Sequence, residues 1–355
     1  MSAETLTELL GTLVDIPSVT GQEAAIAGFI AGRLERRGTG ERLRTGDSVV
    51  WRGPRLGRPL VVLAGHLDTV PPQENGKARL EGDRLYGVGS TDMKGGDAVM
   101  LALIETLDPA RLRFDLAAVF YDGEEGPCEG NGLGRVLDEM AWLREASLAV
   151  LMEPTDAQVE LGCNGVMNVE VRVTGERAHA ARPWTGVNAV ERAAPWLARI
   201  VRFPVTPVVV QGLEFRETLQ VTRLRAGAAR NVVPDELVAN LNHRFPPGRT
   251  LAQAEARLRE LVPAEFEFRV VDRAAPGLVD LDRPRVREFV ERFGLKVTGK
   301  QGWTDVARFS AAGVPALNFG PGLPDLCHAA GEYCPAGNLT RTYDCLARFL
   351  SAEGA

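Results

Sequence analysis

The chain has 355 residues, 45% hydrophobic and 25% charged, a length beyond the roughly 250 to 300 residues at which a single core stops growing, so two domains are expected. A formal net charge of −6 argues against a nucleic-acid or anionic-membrane surface and favours small-molecule or peptide substrates. Residues 1–23 lack a basic segment leading into a long apolar one, and no window offers about 20 uncharged apolar residues, so a cytoplasmic protein with no membrane partner is expected.

In chain order, the first short continuous apolar run is LVVLA at 60–64. DAVMLALIETL at 97–107 follows, apolar almost all round and therefore a buried helix. LAAVFY at 116–121 and SLAVLM at 147–152 repeat the first kind of run, and VPALNF at 314–319 closes the set. Short apolar runs bounded by turn residues predict strands covered on both faces, hence an α/β fold with a central, mostly parallel sheet. Between the third and fourth runs the pattern changes to strict alternation at 168–173, 218–224 and 236–245, which predicts a sheet with one wet face. Helical patterns at 187–201 and 251–261 and a last strand near 266–271 complete a βαββαβ order, the ferredoxin-like arrangement. Pro195 is expected to kink the first of these helices or mark its first turn. The predicted organisation is a catalytic domain split into 1–164 and 275–355, with an inserted lid or dimerisation domain at 165–274.

Ligand-type residues sit just past the C-terminal end of each apolar run, the rim where open α/β sheets bind ligands. They are His66 and Asp68, then Glu124 and Glu125, then Glu153, and finally His328. In AGHLDTV, Asp68 projects to the same side as His66 and can hold the imidazole tautomer. The glycines of YGVGSTDMKGGDA permit a tight path that places Asp92 at the head of the buried helix, where its two oxygens could bridge two ions. Glu124 and Glu125 in YDGEEG supply one acid free to move protons and one fixed on metal. Taken singly, His66 could be an ordinary structural histidine and GEE a solvated turn. The glycine-rich segment lacks the G-K-[ST] of a phosphate loop. Five cysteines without a C-x-x-C pair read as reduced thiols, Cys327 included, and alternation makes His243 a strand-face residue beside Leu241 and Phe245.

With these motifs go LMEPTD, GERAHAARPWTGVNA, NVVPDE, NHRFPPGRT and GWTDVARFSAAGVPALNFGPG. Together they resemble the zinc aminoacylase and exopeptidase family, which includes acetylornithine deacetylases, carboxypeptidase G-type enzymes and succinyl-diaminopimelate desuccinylases. RAHAARPW and GWTDVARF most resemble the desuccinylase branch. The resemblance implies two zinc ions, replaceable by cobalt. His66, Asp92 and Glu153 would hold one, and Glu125, Asp92 and His328 the other. It further implies Glu124 as general base, Asp68 as orienter of His66 and a cis peptide after Asp92. His179 would be an oxyanion donor, often to the partner subunit's site in a homodimer, and Arg244 and Asn231 would bind the carboxylate end of the substrate, with Thr304 and Arg182 as further contacts. The implied reaction is hydrolysis of an N-acyl amino acid, first N-succinyl-LL-2,6-diaminopimelate and second an acetylornithine-type or dipeptide substrate. A non-catalytic metal- or ligand-binding relative is the third reading, opposed by the presence of Glu124 with all five ligands. The sequence departs from the family pattern at Gly302-Trp303-Thr304-Asp305, at PGLPDLC before His328 and at His328-Ala329-Ala330-Gly331-Glu332.

Overall fold

The structure, a computed structural model, describes residues 3–352 and divides into two compact units. The first comprises 1–162, 280–298 and 304–355; the second comprises 163–279 and 299–303, a short stretch that the alternation pattern could not register.

The first unit is built on an eight-stranded sheet in which Asp115–Tyr121, Leu60–His66, Leu148–Leu151 and Ala316–Asn318 lie side by side and parallel. Every residue of these four strands is buried, which explains why each reads as a continuous apolar run. The antiparallel hairpin Glu41–Thr45/Ser48–Arg52 adds to the Asp115–Tyr121 edge, and Val159–Leu161 and Val297–Gly299 complete the other side. Parallel register places His66 opposite Tyr121 and Leu151 opposite Asn318, so the segments that follow these strands leave from one rim.

The helix Gly95–Thr106 is buried along its whole first ten residues, as its all-round apolar pattern predicts. A Cβ on Gly96 would strike the carbonyl oxygen and Cβ of Met152, so only glycine lets this helix start against the strand end that precedes Glu153. Among the described residues no helix is long and apolar enough to cross a membrane.

The second unit carries a five-stranded antiparallel sheet in the order Thr206–Val210, Leu213–Ala226, Glu236–Phe245, Gly165–Thr174, Glu267–Ala274. The last four of these follow the ferredoxin-like order, and Thr206–Val210 is an extra edge strand that the alternation did not reveal. Pro207 within it lacks the N–H a central strand would need. One sheet face packs Val169, Val171, Leu241 and Phe245 against Trp196 and Leu258. Burying each such aliphatic side chain is worth about 1.5–3 kcal/mol. The helix Ala189–Ile200 starts where Asn188 accepts the Val190 N–H at 2.9 Å, so Pro195 lies inside it and not in its first turn. Leu251–Leu261 is set by a capping box between Thr250 and Gln253.

Candidate functional site

His66 ends its strand with a fully covered side chain. Its Nδ1 lies 2.9 Å from the main-chain oxygen of Asp68 and 3.5 Å from that residue's carboxylate, so the main chain of Asp68 is the nearer orienting group. This fixes Nδ1 as the protonated nitrogen and leaves Nε2, 3.1 Å from Asp92 Oδ1, as the nitrogen available to a metal ion. The Asp68 carboxylate does something the motif did not suggest: Oδ1 accepts the Glu124 N–H and Oδ2 the Glu125 N–H, each at 2.9 Å, with Thr20 Oγ1 also on Oδ2 at 2.9 Å. Burial pushes this carboxyl up, but the imidazole and the two N–H groups outweigh it and bring it down to about 2. Asp68 thus stays charged and pins the loop that carries both glutamates.

Asp92 sits in the tight turn 90–94, where the Asp92–Met93 peptide is cis. Glu332 holds this turn from across the chain. Its Oε1 accepts the N–H of Thr91 at 2.9 Å and of Asp92 at 3.0 Å, and its Oε2 that of Gly89 at 3.1 Å. The sequence marked Glu332 only as a neighbour of His328. The signal it did carry was an acid four residues after that histidine, without indication of what it would bind. His328, in the left-handed backbone region at φ 63°, puts Nε2 2.8 Å from Glu125 Oε1 and 3.5 Å from Asp92 Oδ2.

The structure therefore brings together two triads, His66/Asp92/Glu153 and Asp92/Glu125/His328, with the donor atoms of each triad within 4.8 Å of one another and Asp92 common to both. The donor set is nitrogen and carboxylate oxygen, which suits borderline or hard divalent ions, and an acid shared by two triads is what a paired centre requires. Three carboxylates crowded this closely repel one another unless protons or cations intervene, so the residues fit two divalent metal ions. Burial, together with the charges of Glu153, Asp305 and Glu125, raises Glu124 well above the ordinary carboxyl range against the opposing pull of His66. Its hydrogen bond to Glu125 raises His328 to about 9. Protons and metal compete for these lone pairs, so metal affinity falls on acidification.

Thr304 is buried in the same unit and its hydroxyl donates to Asn318 Oδ1 at 3.0 Å. The remaining candidates belong to the second unit. His179 and Arg182 are exposed in one loop, joined by the Arg182 N–H to His179 carbonyl bond of 2.7 Å. Asn231, also exposed, accepts the Ala180 N–H at 2.9 Å through its carbonyl, so the two loops lie side by side. Arg244 projects from strand 236–245, its Nε donating to Asn242 Oδ1 at 3.0 Å. His243 faces the core, as alternation predicts, with Nε2 2.9 Å from Glu217.

Comparison with known proteins agrees with the geometry. A Corynebacterium glutamicum succinyl-diaminopimelate desuccinylase is 39% identical over 347 residues, covering 96% of this chain and 94% of that protein. A Mycobacterium tuberculosis protein that carries the same name provisionally is 41% identical over 345 residues, 97% of each chain. Among solved structures, an M20 family metallo-carboxypeptidase from Sulfolobus solfataricus superposes with a TM-score of 0.80 at 16% identity, covering 98% of both chains. The family described as Peptidase family M20/M25/M40 matches residues 62–352, and the chain belongs to it.

Proposed function

We propose that this protein is a di-zinc desuccinylase that hydrolyses N-succinyl-LL-2,6-diaminopimelate to succinate and LL-2,6-diaminopimelate. The observation that carries the reading is the pair of ligand triads sharing Asp92 with Glu124 beside them. Identity of 39% and 41% over nearly whole chains to relatives of that name supports the substrate.

When bound, the two cations acidify an attacking water and polarise the acyl carbonyl. Glu124 takes the proton of that water and hands it to the departing amine, a role suited to a carboxyl whose pKa lies above the usual range. Asp68 keeps Glu124 and Glu125 in register through their N–H groups. In the second unit, Arg244 and Asn231 bind a substrate carboxylate, with Arg182 of that unit and Thr304 of the first as further contacts, and His179 donates to the oxyanion. The second unit also pairs with a second copy to form a homodimer, since the edge strands of its open sheet carry unpaired backbone groups.

The test is a comparison of kcat/KM for zinc-loaded protein on N-succinyl-diaminopimelate, N-acetylornithine and dipeptides. The succinyl substrate is expected to be preferred by at least an order of magnitude, the roughly 1.4 kcal/mol that one extra charged contact supplies. Preference for acetylornithine or a dipeptide overturns the substrate assignment.

A further inference from the structure

The polar face of the five-stranded sheet carries a line of hydrogen bonds that the proposed reaction does not use. Arg244 Nε donates to Asn242 Oδ1 at 3.0 Å, Asn242 Nδ2 donates to Asn168 Oδ1 at 2.9 Å, and Asn168 Nδ2 donates to Asp272 Oδ2 at 3.4 Å. Each carboxamide turns its oxygen towards Arg244 and its nitrogen away, and the line ends on a carboxylate, which only accepts. Reversing Asn242 would set its NH2 against the Arg244 N–H and its oxygen against that of Asn168, so the direction is fixed along the whole line. Asn240 buttresses it from the next rung, donating to Thr222 Oγ1 at 2.7 Å and reaching Asn168 Oδ1 at 3.4 Å.

The sheet register builds this line. Asn242 and Asn168 are direct antiparallel partners, and Arg244, two residues on, shares their face. On the other side, strand 267–274 pairs Val270 with Val169 and then Asp272 with Asn168, leaving Val271 as an extra residue. Without that bulge Val271 would oppose Asn168, and Asp272 would oppose Met167 on the apolar face. The bulge therefore delivers the terminal carboxylate to the polar face.

We propose that Asp272, Asn168 and Asn242 are positioning residues that hold the plane of the Arg244 guanidinium, and so set the preference for a substrate carboxylate over a neutral group in its place. The specificity half rests on Arg244 binding a carboxylate, as proposed above. Two parallel N–H···O bonds form only when guanidinium and carboxylate are coplanar. With Nε engaged by Asn242, the edge that meets an incoming carboxylate is the one bearing the two Nη atoms. A guanidinium oriented in advance loses less rotamer freedom on binding.

Two measurements separate the positioning from the substrate reading. The first is the Nε–H NMR signal of Arg244, assigned by its loss in Arg244→Lys. It should shift and exchange faster with water in Asn242→Ala, less so in Asn168→Ala and least in Asp272→Ala. A signal unmoved in all three overturns the proposal, whatever the kinetics. The second is KM for N-succinyl-diaminopimelate and for its carboxamide counterpart. Asn242→Ala should raise the first on the order of 10-fold, leave the second and kcat within about 2-fold, and add nothing in an Arg244→Ala background. An effect that persists in that background means the asparagine acts on the fold, and the proposal fails. Asp272→Asn keeps an acceptor oxygen and should match the unaltered protein in both readouts; behaviour like Asp272→Ala contradicts the line as drawn. If Arg244→Ala itself leaves KM unchanged, the carboxylate role of Arg244 and the specificity half fall together, and the NMR signal alone decides the positioning half.

Discussion

The first unit carries 24 Arg and Lys against 35 Asp and Glu, a net of −11, whereas the second carries 17 against 12, a net of +5. The acids of the first converge at the ends of parallel strands, where Asp92, Glu124, Glu125 and Glu153 gather around two histidines. The second unit carries its arginines on an antiparallel sheet with a polar face, on the two helices packed on that sheet and on the loops around it. A concentration of carboxylates suits cations; an excess of guanidinium groups suits an anionic substrate. The whole-chain charge of −6 averages these two into an unremarkable number and conceals that the proposed metal chemistry and the proposed substrate recognition draw on opposite electrostatics.

That division can be broken one residue at a time. The largest effect is expected at Glu124: Glu124→Gln should retain both metal ions by elemental analysis and lower kcat on the order of 100- to 10,000-fold. Near-normal turnover, or loss of metal, would reassign the base. Next comes His179→Ala, expected to cost on the order of 100- to 1000-fold in kcat with the metal content unchanged. Mixing it with Glu124→Gln under subunit exchange asks where the imidazole acts. Activity should return if His179 serves the partner's site, and its absence after confirmed exchange would confine His179 to its own chain. Arg244→Ala should act mainly on KM, on the order of 10- to 100-fold, since it removes a charge-assisted contact made before and during reaction. An equal loss in kcat would instead tie it to the transition state.

The smallest effect concerns stability of the second unit. The His243 hydrogen bond, with help from Arg249 and against burial, holds Glu217 below its ordinary value of 4.5. A lowered folded-state pKa contributes stability that is present above about pH 4.5 and lost as pH falls through the folded value. Glu217→Gln should therefore melt a few degrees lower than the unaltered chain at pH 7, on the order of 2–4 °C per kcal/mol. The gap should narrow below pH 4.5. A gap that widens on acidification would mean that the charged carboxylate is not the stabilising form.

Much of this is legible in the sequence, for physical reasons that differ between the units. Strands 60–66, 115–121, 148–151 and 316–318 are covered on both faces, so burial wrote them as apolar runs and left the ligands exposed to view at their ends. Strands 165–174 and 236–245 have one wet face and appear as alternation. Edge strands escaped notice: ERLRT at 41–45 is mostly charged, and TPVVV at 206–210 is short and contains proline. The partners of the site residues were the least legible part. Nothing in the spacing told that Asp68 would cap two glutamate N–H groups, or that Glu332 would hold the turn bearing Asp92 from 240 residues away. Those contacts depend on parallel register and chain return, which periodicity does not encode. The relay to Arg244 was hidden more deeply, because a one-residue bulge decides which face Asp272 occupies.

In the proposed reaction, the two triads sharing Asp92 hold the ions on which hydrolysis depends. The most direct measurement strips the protein with a chelator and follows bound zinc and turnover together as zinc is returned. Metal-free protein should show no turnover, with full recovery at two ions per chain and cobalt able to substitute. Full activity in protein shown to be free of metal would contradict this.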